Sequence, residues 1–250
     1  MREMALAMDE AVQDSLRALD VEELRRKYWE QGEFLALEHL FPPAVVDELV
    51  AEVHQVRPYV NRNYIPGHKK GGSVSYYILT EQAPATIAFY RSPALLTLLN
   101  HLTGETLLRC PDDDPHACAL YWYTEPGDHI GYHYDTSYYK GARYTLLIGL
   151  IDRSTSRLEC RLHTKDSQRE SQHLSLATPP GSFVFFNGDL LYHAVTPLGK
   201  GEERVVLTLQ FVTNPEMTPV KRWFSNLKDA VGYFGLPALF RRAPRMSTPR

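Results

Sequence analysis

Long apolar runs are missing from this chain of 250 residues. None approaches the roughly 20 residues a helix needs to cross a bilayer, so no membrane-spanning segment and no membrane partner is expected. Cysteine is scarce. Cys110, Cys118 and Cys160 follow no pairing or ligand spacing and read as reduced, mostly buried thiols of a cytoplasmic protein. A surplus of either charge is also lacking: the net charge is −3 and the pI about 6.4, which argues against nucleic acid as a partner. Residues 1–9 carry acidic groups and no apolar stretch, so no signal peptide is expected. No internal repeat or low-complexity tract interrupts the chain. What is present, 44% hydrophobic and 23% charged residues, suits one domain over residues 1–250 with a full core.

The first part, residues 1–116, reads as mostly helical support plus one loop. Val12, Leu16, Leu19, Val21, Leu24 and Tyr28 recur at helical spacing, which predicts a helix over 10–31 ended by Gly32. Phe34 to Leu37 reads as a short strand. Phe41-Pro42-Pro43 opens a second helix with an apolar stripe at Val45, Val46, Leu49, Val50 and Val53. Residues 60–73 are polar, glycine-rich and locally basic, and predict a loop, either a plain connection or a flap over a site. Pro84 to Leu102 reads as a helix or helix pair, and Asp112-Asp113-Asp114-Pro115 as a solvated acidic turn.

From Ala117 the pattern changes to short strands, expected near 117–124, 143–151, 158–163, 173–177, 182–186 and 204–212. Residues 117–212 therefore form a β core, a barrel or sandwich supported by the helices before it. Residues 213–250 are expected to add a helix over Val220–Gly235 and an arginine-rich tail.

Alternation divides the strand from Arg204 into two faces. Val205, Leu207, Leu209 and Phe211 make an apolar face for the helices. Arg204, Val206, Thr208 and Gln210 make the other. In a closed β-architecture that face would line an interior, and a guanidinium buried there requires an anion, because an unpaired buried charge costs several kcal/mol. Tyr121, Tyr123 and Glu125 share one parity in the strand that leads into the next motif.

That motif is Gly127-Asp128-His129-Ile130-Gly131-Tyr132-His133-Tyr134-Asp135, which ends in His-x-Asp. His193 follows 60 residues after His133, half of a wider pattern completed by Arg204. Two neutral imidazoles and one carboxylate, His133, His193 and Asp135, form a facial set suited to non-haem Fe(II), with positions left open for O2 and a cosubstrate. Arg204 could pair bidentately with a carboxylate of a keto acid.

His133-Tyr134-Asp135, His193, Arg204, the approach Tyr123 to Gly131 and the turn Pro180-Gly181-Ser182 resemble the Fe(II)/2-oxoglutarate-dependent dioxygenases. The resemblance implies a mainly β fold with supporting helices, a double-stranded β-helix of the jelly-roll or cupin-like kind. It also implies one catalytic domain, with Fe(II), 2-oxoglutarate and O2 as cofactor and cosubstrates, and oxidative decarboxylation to succinate and CO2 coupled to C–H oxidation. Many relatives carry a serine two residues after the arginine; here it is Val206, and Tyr121, Tyr123 or Thr208 could provide the second keto-acid anchor.

Residues 63–72, the segment Asp135 to Tyr139 and Thr213-Asn214-Pro215-Glu216 are similar to small bacterial enzymes that halogenate or hydroxylate free amino acids, notably lysine. In the halogenases a glycine replaces the carboxylate ligand and admits chloride. Asp135 keeps the carboxylate, so the resemblance implies hydroxylation of an unactivated C–H bond of lysine or a similar basic amino acid. Arg62, His68, Lys69 and Lys70 are then candidates for the substrate carboxylate. Glu125, Asp128, Thr208 and Gln210 are candidates for its ammonium, with His129 as a further contact and Trp223 closing the pocket. Two other readings are a non-catalytic β-helix sensor and the same chemistry on a peptide side chain. The oligomeric state is open, and a homodimer is compatible with the sequence.

Overall fold

Two helices, not one, begin the chain in the computed structural model, which describes residues 2–217: α1 (Arg2–Arg17) and α2 (Val21–Glu30). The expected helix over 10–31 breaks because Asp20 accepts a hydrogen bond from the Glu23 N–H at 3.0 Å and caps a new start. The final helix, Trp223 and the arginine tail lie outside the described residues.

The first strand, β1 (Phe34–Leu37), is where the sequence places it. The helix α3 (Pro43–Val56) buries Val45, Val46, Leu49 and Val53 as expected, but also buries Glu52. That carboxylate accepts from the Ala85 and Thr86 N–H groups, both at 2.7 Å, at the start of α5 (Pro84–Arg91). A carboxylate at a helix N-terminus meets unpaired N–H groups and the positive end of the helix dipole. The expected helix pair is α5 and α6 (Pro93–Thr103), the latter capped by Ser92, and a short α4 (Tyr76–Gln82) precedes them.

Residues 60–73 are not a loop. They form a hairpin, β2 (Asn61–Ile65) and β3 (Lys69–Val74). Gly67 takes the positive φ of the turn, and Gly72 serves close approach. A Cβ on Gly72 would lie 2.5 Å from Val60 Cγ1 and 3.2 Å from the Trp122 carbonyl oxygen, so only glycine lets β3 run against its neighbour.

The remaining strands are β4 (Leu108–Arg109), β5 (Cys118–Tyr123), β6 (His129–His133), β7 (Arg143–Arg153), β8 (Leu158–Leu162), β9 (Gln172–Leu176), β10 (Phe183–Asn187), β11 (Tyr192–Val195) and β12 (Glu203–Val212). One layer runs β1-β10-β7-β12-β5 and the other β6-β11-β8-β9. The two are joined by β3, which pairs with β5 through Gly72–Val74 and with β6 through Lys69 and Lys70. This is a mainly antiparallel jelly roll with helices on its outer face.

The division of β12 follows its alternation. Val205, Leu207, Leu209 and Phe211 join the core shared with the helices, while Val206 joins a smaller interior cluster with Ile130, Leu147, Leu158, Phe186 and Val195. The three cysteines are free and buried.

Candidate metal centre

The two histidines arrive on paired strands. His133 at the end of β6 lies opposite His193 in β11, and the register shifts between His193 and Val195. Such an irregularity re-aims side chains, as β-bulges beside sites commonly do. Asp135 follows β6 by two residues. The Nε2 atoms of His133 and His193 stand 3.4 and 3.9 Å from Asp135 Oδ1. One ligand atom from each of the three lies within 4.8 Å of the others, close enough to share one ion.

Each side chain is aimed by a neighbour. The Nδ1 atoms of His133 and His193 contact the carbonyl oxygens of Gly131 at 2.8 Å and Leu191 at 3.3 Å. With Nδ1–H donating, each Nε2 lone pair faces the shared centre. Thr145 Oγ1 donates to Asp135 Oδ2 at 2.7 Å, leaving Oδ1 toward the imidazoles. The turn Asn187-Gly188-Asp189 packs against Asp135 so closely that a Cβ on Gly188 would come within 2.8 Å of Asp135 Cβ.

Electrostatics suit a metal set. Burial pushes the Asp135 carboxyl up, but the His133 hydrogen bond, both imidazoles and Arg143 outweigh it and hold the group well below the usual carboxylate range. Burial, with the neighbouring His133, pushes His193 down to about 4, so it is neutral near pH 7.

A cavity of about 220 Å3 opens from these three residues, walled by Tyr121, Tyr123, Ile130, Leu147, Leu158, Phe186, Val195, Val206, Thr208 and Gln210, among others. Arg204 lies on the same face of β12, two residues before Val206, and is fully buried. Its Nε donates to Thr178 Oγ1 at 3.0 Å, while Nη1 and Nη2 have no partner among the described residues. The Tyr123 ring centroid lies 5.5 Å from its Cζ. A guanidinium with two idle, desolvated nitrogens calls for an anion of fork-like geometry, as a carboxylate provides. Thr208 lines the cavity, but its hydroxyl already donates to the Ala119 carbonyl at 3.2 Å.

The substrate residues expected from the sequence mostly do not come together there. Arg62 makes a two-pronged pair with buried Asp128, both bonds 2.7 Å, and contacts Glu125 at 2.9 Å. Asp128 also accepts from the Thr124 and Glu125 N–H groups. Lys70 donates to the Pro126 carbonyl and sits 3.5 Å from Glu125. The groups expected to hold a carboxylate and those expected to hold an ammonium thus neutralise one another, fastening the β2–β3 hairpin to the turn before β6. None of the four lines the cavity, and neither does His129, whose Nδ1 contacts the Gly127 carbonyl at 2.8 Å. His68 packs edge-on to His133, ring centroids 5.8 Å apart.

The turn at Asn187-Gly188-Asp189 is legible in the sequence, but the contacts of Gly188, Thr145, Thr178, His116 and Arg143 at the site are not. Arg143 and Thr145 share one face of β7 with Leu147, an alternation that could have shown them. The acidic turn is not simply solvated: Asp114 is buried and accepts from the Tyr139 hydroxyl and the His116 N–H, both at 2.8 Å.

Comparison with known proteins agrees with this fold. The iron- and α-ketoglutarate-bound epimerase SnoN of nogalamycin biosynthesis superposes with a TM-score of 0.66 at 14% identity, covering 91% of this chain and 96% of that one. A Pseudomonas putida prolyl-4-hydroxylase gives 0.59 at 16% identity, covering 78% and 98%. A Trichoplax adhaerens prolyl hydroxylase bound to a hypoxia inducible factor fragment gives 0.63 at 12%, covering 85% and 94%. No curated protein matches the sequence significantly. One family model does, that of halogenase D, over residues 16–142. That span exceeds half of the chain and includes His133 and Asp135, and the chain belongs to the halogenase D family.

Proposed function

We propose that this protein is an Fe(II)/2-oxoglutarate-dependent oxygenase that hydroxylates an unactivated C–H bond of a small free amino acid. The observation that carries the reading is the convergence of His133, Asp135 and His193 on one cavity, with the idle Arg204 guanidinium along the same strand face. His133 Nε2, His193 Nε2 and Asp135 Oδ1 would hold the iron, and Arg204 would hold the far carboxylate of the keto acid beside Tyr123. When bound, iron and 2-oxoglutarate supply the oxidising power, with O2 consumed and succinate and CO2 released.

The chain's own residues do the rest. The Gly131 and Leu191 carbonyls keep the imidazoles in the right tautomer, and Thr145 fixes the carboxylate. Ile130, Leu147, Leu158, Val195 and Val206 make an apolar wall that excludes water from the reacting centre. Asp135 supports hydroxylation over halogenation within a halogenase family, because its carboxylate occupies the position a halide would need. The test is a mass-spectrometric screen of free amino acids with Fe(II), 2-oxoglutarate and O2. The expected result is a substrate that gains one oxygen atom, with no chlorinated product in chloride buffer.

A further inference from the structure

The cavity's charges are unevenly distributed. Among the described residues, its histidine, acidic and basic lining groups are His116, His133, Asp135, Arg143 and His193. His133, Asp135 and His193 belong to the metal set. The other two are the Arg143 guanidinium, a cation, and His116, and among the described residues Asp135 is the only carboxylate in the wall.

Arg143 is held in place without being fully occupied. Its Nε donates to Gln210 Oε1 at 2.9 Å. Its Nη2 is 3.9 Å from Asp114 Oδ2, too far for a hydrogen bond, and that oxygen already accepts from Tyr139. The guanidinium therefore keeps donor capacity facing the cavity. Behind the same wall lies fully buried Lys69, its Nζ 5.1 Å from the Tyr121 ring centroid. Tyr121 in turn contacts His116 Nδ1 at 2.9 Å. By contrast, Glu125 and Asp128 are tied to Arg62 outside the cavity. A side-chain ammonium entering here would be desolvated beside the Arg143 guanidinium, with the one carboxylate among the described lining residues committed to the metal, an unfavourable burial of like charges.

We infer that Arg143 binds a carboxylate of the substrate, and that the rest of the substrate carries an uncharged or acidic chain rather than a side-chain ammonium. This inference takes the identity of the site from the oxygenase reading, while the binding preference follows from the cavity charges alone.

Calorimetric titration of the full chain tests it, metal-free and again anaerobically with Fe(II) and 2-oxoglutarate. The probes are norleucine, lysine (which adds only the ammonium) and norleucinamide (which lacks only the carboxylate charge). Norleucine should bind at least about tenfold more tightly than either. Arg143→Met should abolish the difference between norleucine and its amide, and Arg143→Lys should restore part of it, since the charge returns without the planar fork. Lysine or the amide binding as well as norleucine to the unaltered protein would overturn the inference, as would no binding by any of the three. If Arg143→Met fails to fold, the three affinities of the unaltered protein still decide between these outcomes. The visible band of the Fe(II)–keto acid complex is read on the same samples. Its absence alongside intact discrimination would defeat the oxygenase reading and leave the Arg143 assignment standing.

Discussion

His133 and His193 face each other across β6 and β11, with ring centroids 4.3 Å apart. Residues 60 apart in sequence thus become neighbours through strand pairing, and the irregularity in that pairing turns both rings toward Asp135. Either imidazole is half of a pair whose partner cannot compensate for its loss. His193→Ala or His133→Ala should weaken Co(II) or Fe(II) binding by at least about a hundredfold, beyond the effect of losing an outer-shell partner. Equilibrium titration of each variant with Co(II), followed by its visible absorption, measures this.

Arg204 makes a prediction that separates binding from stability. Among the described residues its buried guanidinium has one hydrogen bond and two idle nitrogens, so in the free protein it contributes little to folding. Arg204→Met should leave the melting temperature unchanged or raise it, since a buried charge without an ionic partner is itself costly to desolvate. The same variant should lose 2-oxoglutarate affinity. Differential scanning calorimetry and keto-acid titration check the two halves.

Gly188 tests the packing behind the carboxylate. A methyl group there would displace Asp135 by contact with its Cβ and carbonyl oxygen, both 2.8 Å away. Gly188→Ala should lower metal affinity by about 10–100-fold, like the loss of an orienting partner, while far-ultraviolet circular dichroism stays native.

Asp128 should matter for stability rather than chemistry. It is fully buried and accepts from Arg62 twice and from two backbone N–H groups. Burial raises its pKa, but the Arg62 hydrogen bond and the backbone donors outweigh that and leave it lowered. A lowered carboxyl contributes stability that is fully present above its unfolded value and lost as the pH falls toward the folded one. Asp128→Asn should cost about 3 kcal/mol near pH 7. The difference from the unaltered protein should shrink below about pH 4, as urea titrations across pH would show.

Much of the site is legible in the sequence because alternation is a strict rule. Once Arg204 opens a strand whose other face is Val205, Leu207, Leu209 and Phe211, its inward direction follows, and the buried guanidinium confirms it. The strands β6 and β11 are not legible. Their residues, His129–His133 and Tyr192–Val195, are few, and histidine, glycine and tyrosine interrupt the apolar alternation that marks a core strand. The β2–β3 hairpin misleads for a related reason: its glycines and charges look like loop residues, yet Gly72 serves close strand approach and Arg62 is locked to Asp128. Pairing between charges far apart in sequence leaves no local signal. Substrate roles for Arg62, Lys70 and Glu125 therefore cannot be separated from structural ones until the fold brings them together.

The most direct measurement is an anaerobic titration of the purified protein with Fe(II) and 2-oxoglutarate, followed by visible absorption. A weak metal-to-ligand charge-transfer band should appear, saturate at one iron per chain, disappear in His193→Ala, and need far more keto acid in Arg204→Met. A folded protein that binds no iron, or that forms the band equally well without His193, would contradict that expectation.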